Sequence, residues 1–157
     1  MTEHRIHLDD SAATQSWGRN VARHLRPGDL IVLTGDLGAG KTTFTRGLGE
    51  GLGVRGAVTS PTFVIARRHP GSDGGLDLLH VDAYRLGSAS EVDDLDLDLA
   101  GAVTVVEWGA GRVEHLADSR LEITLAPEGD GREAIVIGHG VRWADDDVAV
   151  LVSPGGA

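Results

Sequence analysis

The sequence predicts an α/β domain whose mixed sheet has parallel central strands, antiparallel additions and flanking helices. Three observations carry this. Residues 30–34 (LIVLT) and 103–106 (VTVV) are unbroken runs of strand length, the pattern of strands covered on both faces. The first run leads directly into a glycine-rich stretch, residues 35–42, and then into a helical segment. Residues 121–125 and 133–137 alternate in polarity around a turn at 127–131 that holds proline and glycine, as the arms of a hairpin do.

Taken in order, residues 5–8 read as a short strand, and Ser11 as the N-cap of a helix carrying Trp17, Val21, Ala22 and Leu25, stopped by Pro27 and Gly28. After the strand at 30–34 and the glycine-rich loop, residues 43–52 form a helix with Gly53 as its stop. Residues 58–66 are extended around Pro61, and the turn at 70–75 lets 76–81 return antiparallel. An acidic helical stretch at 87–99 precedes the second apolar run, which should lie beside the first in the sheet centre. A short helix or turn at 112–116 and the hairpin follow. Residues 148–152 read as a last strand and 153–157 as a frayed tail. With 157 residues and no linker or internal repeat, residues 1–157 are expected to form a single domain.

Composition narrows the function classes. There is no cysteine, which excludes disulfides and thiolate metal sites. Neither a signal core nor an apolar run near the roughly 18 residues of a membrane span is present, so no membrane association and a cytoplasmic location are expected. A net charge of -10 is a poor footprint for holding nucleic acid by its phosphates. Of 14 basic residues, Lys41 is the one lysine.

That lysine completes the pattern G-x-x-x-x-G-K-[ST], matched by Gly35, Gly40, Lys41 and Thr42. Glycines let the backbone aim successive N–H groups at an anion in front of a helix N-terminus. The nucleotide-binding stretch is Asp36, Leu37, Gly38, Ala39, Gly40, Lys41, Thr42 and Thr43, in a P-loop NTPase-like domain. Lys41 would reach the β- and γ-phosphates, Thr42 would ligate Mg²⁺, and Thr43 would add a donor to the α-phosphate. ATP is favoured over GTP: guanine-specific relatives use an Asn-Lys-x-Asp signature that a chain with one lysine at position 41 cannot contain.

Such a site needs a carboxylate at a strand end, for the metal or its water. Glu107 ends the run at 103–106, and Asp82 ends the alternating segment 78–81. Glu107, on the more buried run, is assigned to the metal, and Asp82 to the attacking water or an outer metal contact, with Lys41 as the third catalytic group. Ser60 and Thr62, in the Ser-Pro-Thr-Phe at 60–63, form a switch-like segment that could order around γ-phosphate. Trp108 is either a core aromatic or a stacking surface for the base. The seven histidines show no metal-ligand spacing, and His80 reads as structural or as an outer contact of the site.

Five blocks in order, GDLGAGKTTF at 35–44, SPTF at 60–63, His-x-Asp-x-Tyr-Arg-Leu at 80–86, VEW at 106–108 and GRE at 131–133, resemble the bacterial TsaE (YjeE) family, the ATPase subunit of tRNA threonylcarbamoyladenosine synthesis. The resemblance implies that Lys41, Thr42 and Thr43 bind phosphates and Mg²⁺, that Glu107 sits at the metal and Trp108 by the adenine, and that Arg132 touches the nucleotide. Asp82 matches the family's second acid. It further implies ATP and Mg²⁺ as cofactors and threonylcarbamoyl-transferase subunits of the TsaD and TsaB type as partners, with tRNA met only indirectly. Residues 91–100 (EVDDLDLDLA) depart from the hydrophobic segment expected there, and residues 109–111 (GAG) replace an expected glutamate.

The expected function is a Mg²⁺-dependent ATP-binding protein and weak, partner-dependent ATPase that cycles the transferase complex. Two alternatives share the loop: a small-molecule kinase, with Arg67 and Arg68 in a lid, and a module that uses nucleotide only as a switch.

Overall fold

The computed structural model describes residues 3–36, 38–54, 66–72, 75–82, 99–107 and 113–153. Seven strands form one sheet: β1 (Glu3–Leu8), β2 (Leu30–Thr34), β3 (Ala66–His69), β4 (Asp77–Asp82), β5 (Ala102–Glu107), β6 (Arg120–Glu128) and β7 (Gly131–His139), in the order β1-β7-β6-β2-β5-β4-β3. The central four, β6, β2, β5 and β4, are parallel. The margins are antiparallel: β1 on β7, β7 on β6, and β3 on β4. The two apolar runs are neighbours, with Leu30 opposite Thr104 and Leu33 opposite Glu107.

Both faces of β2 are covered, which is why its sequence does not alternate. Ile31 and Leu33 join a core with Phe44, Leu48, Trp17 and Val21 from helices α1 (Ser11–Ala22) and α2 (Lys41–Leu52). Leu30 and Val32 face a second cluster with Leu79, Val81 and Val106. Full burial of such side chains is worth about 1.5–3 kcal/mol each.

α1 and α2 lie backbone to backbone. A Cβ on Gly47 would stand 2.0 Å from the Gln15 carbonyl oxygen, one on Gly18 2.4 Å from that of Phe44, and one on Gly51 2.6 Å from Ala22 Cβ. This approach, available only to glycine, brings the N-termini of both helices to one cavity.

Three expectations are corrected. The N-cap of α1 is Asp10, not Ser11: Asp10 is extended (φ -158°, ψ -176°) and its carboxylate accepts from Ala13 N–H at 2.8 Å. α1 also ends at Ala22, where tighter bonds such as His24 N–H to Val21 O close the last turn. Residues 148–152 do not form a strand but belong to helix α3 (Asp145–Ala149) and a 3₁₀ turn, Val150–Val152. Asp145, Asp146 and Asp147 fill the first turn of α3, where negative charge suits the helix end. Val148 and Leu151 are both buried, a spacing of three that a strand would send to opposite faces, and Trp17 Nε1–H donates to Leu151 O at 2.8 Å. The acidic stretch at 87–98 and the extended segment at 58–65 lie outside the described residues. Among the described residues no helix is long and apolar enough to cross a membrane.

Candidate functional site

β2 delivers the chain into the loop at the C-terminal edge of the parallel strands. Gly38 (φ 80°) and Gly40 (φ 102°) hold left-handed conformations that a side chain would disfavour. Gly40 is the N-cap of α2 and supplies no side-chain bond, and the helix ladder begins with Phe44 N–H to Gly40 O at 2.8 Å. The N-cap residue thus leaves the first turn of α2 without a side-chain cap of its own, and Thr42 and Thr43 line a cavity of about 460 Å³ in front of it. An anion is the natural cap for such an end.

Lys41 is only 6% exposed. Its ammonium donates to Gly35 O and, at 3.1 Å, to Asp36 O. Burial lowers its pKa, against the raising fields of Glu107, Asp36 and Asp82. A cation thus stands inside a loop of backbone dipoles beside a cavity, a donor set that fits the phosphates of a nucleotide. Ala39, in the same loop, has its side chain in the core and its N–H bonded back to Asp36 O at 3.0 Å.

Asp82 and Glu107 are register partners at the ends of the adjacent parallel strands β4 and β5. Both line the cavity with Lys41 and Thr42. Glu107 is buried, and His80, fully buried on β4, donates from Nε2 to Glu107 Oε2. Among the described residues no group of three His, Cys, Asp or Glu side chains is positioned to hold a metal. Magnesium is held by one or two carboxylates together with substrate phosphates and water, and the two carboxylates at the cavity, Glu107 and Asp82, fit that donor set. Thr42 and Glu107, with Asp82, would supply the protein's oxygens.

The opposite wall comes from Asp10, Ser11 and Thr14 at the start of α1, and from Asp130, Gly131 and Arg132 at the β6–β7 turn. Arg132 reaches the glycine-rich loop itself, donating from Nη2 to Gly38 O at 2.9 Å and from Nε to Ala39 O at 3.2 Å. Sequence reasoning missed Asp10, Ser11, Thr14, Asp130 and Gly131. Ser11 was visible only as a helix start, and nothing in the chain tells which helix ends share a cavity.

Leu37, Ser60, Thr62 and Trp108 lie outside the described residues. Arg67 and Arg68 are in the edge strand β3, where Arg68 Nε donates to Asp77 at 2.8 Å.

The family model described as threonylcarbamoyl adenosine biosynthesis protein TsaE matches residues 8–135. A tRNA threonylcarbamoyladenosine biosynthesis protein TsaE from Streptomyces coelicolor is 59% identical over 142 residues, covering 85% of this chain and 96% of the relative. The protein of that description from Bacillus subtilis is 43% identical over 123 residues, 78% of this chain and 77% of its own. The crystal structure of Bacillus subtilis YdiB superposes with a TM-score of 0.73 at 33% identity, covering 90% of this chain and 89% of that one.

Proposed function

Since the chain belongs to the TsaE family, which is involved in tRNA threonylcarbamoyladenosine biosynthesis, we propose that it is the Mg²⁺-dependent, ATP-binding component of that synthesis and a slow ATPase. The observation that carries this reading is the convergence of Lys41, Thr42, Asp82 and Glu107 on one cavity at the C-terminal ends of β2, β5 and β4.

In this reading the first turn of α2 and the loop N–H groups bind the phosphates, while the Lys41 ammonium leaves its carbonyl partners to meet the β- and γ-phosphate oxygens. Thr42 and Glu107 would hold Mg²⁺, which when bound would neutralise charge on the phosphate oxygens. Asp82, beside Glu107, orients the water that attacks the γ-phosphorus. Trp108, which follows Glu107, stacks on the adenine. Ser60 and Thr62 belong to a segment that responds to γ-phosphate.

Hydrolysis by the isolated chain should be slow, because fast phosphoryl transfer uses a further cation at the γ-phosphate, often an arginine supplied in trans and worth about 10³–10⁵ in rate. The chain has no second lysine, so a further cation in cis would have to be an arginine such as Arg85 or Arg132. Partner subunits of the TsaD and TsaB type would supply or complete that function. With a net charge of -10, this chain would act on a complex that holds tRNA and not on tRNA itself. A kinase is disfavoured by the position of Arg67 and Arg68 in a sheet-edge strand, whereas a kinase needs arginines on a loop that closes over the nucleotide.

The test is γ-labelled ATP given to the protein with and without transferase subunits. Inorganic phosphate released slowly alone and faster with the subunits is the expected result. Label on a metabolite would identify a kinase, and negligible release under every condition a nucleotide-dependent switch.

A further inference from the structure

We propose that His80 is a positioning residue for Glu107, fixing the carboxylate so that it meets magnesium in one orientation; this rests on the reading of Glu107 as the metal carboxylate. His80 is 0% exposed at the middle of β4, among Leu78, Leu79 and Val81. In that apolar row an imidazole is an expensive occupant, since each buried polar atom needs a partner. Its Nε2–H has one, Glu107 Oε2. Its Nδ1 has none among the described residues. The bond to Glu107 is therefore the ring's engaged polar contact, and the rest of the side chain serves to place it.

The strand geometry explains why the bond reaches across. β4 and β5 are parallel, with His80 opposite Val105 and Asp82 opposite Glu107. Side chains two apart share a face, so His80 and Asp82 stand on the same face as Glu107. Asp82 and Glu107 line the cavity, and His80 does not. The imidazole thus holds Glu107 from the protein side while the cavity side is left to the ligand. A glutamate has three side-chain torsions to order, and a fixed partner on one oxygen orders them before the metal arrives.

Substitutions that keep or misplace the donor test the role. The Gln side chain carries its amide nitrogen near the position of Nε2, and that of Asn near Nδ1. The readout is calorimetric ADP binding, titrated with Mg²⁺, for the native chain, His80→Gln, His80→Asn, His80→Leu and Glu107→Gln. His80→Asn and His80→Leu should raise the Mg²⁺ requirement about 10–100-fold, as loss of an orienting partner does, with Mg²⁺-free ADP affinity unchanged and His80→Gln near native. A merely structural role would lower the melting temperature without moving the Mg²⁺ requirement. The proposal is overturned if Asn and Gln behave alike, whether both keep the native requirement, both raise it or both fail to fold. If the native chain shows no Mg²⁺ effect, or Glu107→Gln does not alter it, the reading of Glu107 fails and this inference with it. If Glu107→Gln shifts the requirement and His80→Asn does not, the inference fails alone.

Discussion

Arg132 and Ala39, 93 positions apart, are joined by a hydrogen bond from the guanidinium Nε to the carbonyl oxygen at 3.2 Å. Together with the bond from Nη2 to Gly38 O at 2.9 Å, it ties the start of β7 to the glycine-rich loop. The loop is thereby braced from the far side of the sheet, by a residue that also lines the cavity.

Arg132→Ala should therefore weaken nucleotide binding even if the side chain touches no phosphate. Loss of two hydrogen bonds from a charged donor, at about 1.5–3 kcal/mol each, is an upper bound, because the freed carbonyls can meet water. A loss of ADP affinity of about tenfold, with a small fall in melting temperature, is expected by calorimetry and thermal melts. Native affinity in the variant would show that the brace contributes nothing to the bound state.

Lys41→Met should abolish most nucleotide affinity and leave the fold intact, since the methionine keeps much of the stem. The phosphates lose a charge-assisted partner worth about 1.5–3 kcal/mol. The nucleotide-free proteins should also differ in pH dependence. Burial lowers the Lys41 pKa from 10.5, so between the lowered value and 10.5 the unfolded chain binds more protons than the folded one. Stability from this group then rises with pH through that window and levels off above it. The native-minus-variant difference in unfolding free energy should rise accordingly, and a falling difference would contradict the buried position of the ammonium.

Glu107→Gln should shift the Mg²⁺ dependence of turnover more than Asp82→Asn does. Glu107 is buried and bound to His80, whereas Asp82 is half-buried at the end of a strand one removed from the sheet edge. Metal titrations of ATP hydrolysis in both variants decide it, and a larger shift in Asp82→Asn would reverse the assignment of the two carboxylates.

Gly47→Ala tests how the cavity is built. Its Cβ would stand 2.0 Å from the Gln15 carbonyl oxygen, so the helices must part, at a typical overpacking cost of about 1–3 kcal/mol. Denaturant unfolding should show that loss. Nucleotide affinity should fall as well, since Asp10, Ser11 and Thr14 retreat with α1 from the cavity they line.

The strand, loop and helix from Leu30 to Leu52 were legible because their signals are local. An apolar run of strand length, glycines at the positions with positive φ and a helix after the loop, read from Thr43 and found from Lys41, all lie within consecutive residues. The adjacency of β2 and β5 and the β6–β7 hairpin were legible for a related reason: burial on both faces and alternation each leave a pattern in composition. Asp82 and Glu107 could be picked out as acids at strand ends. The end of the chain was misread because residues 148–152 are apolar at nearly every position, and such a run fits either period until its neighbours choose one.

By itself, then, the sequence determined the class of fold, the glycine-rich loop and the types of residue around it, all of which depend on short-range steric and hydrophobic preferences. Only the tertiary structure decided that Asp82 faces Glu107, that His80 stands behind it, that Arg132 braces the loop and that α1 closes the cavity. Those relations depend on strand order and on the backbone contact at Gly18, Gly47 and Gly51. The physical reason is that register and helix approach are set by the packing of distant segments against one another, and a single chain read in order carries no record of which distant segments meet.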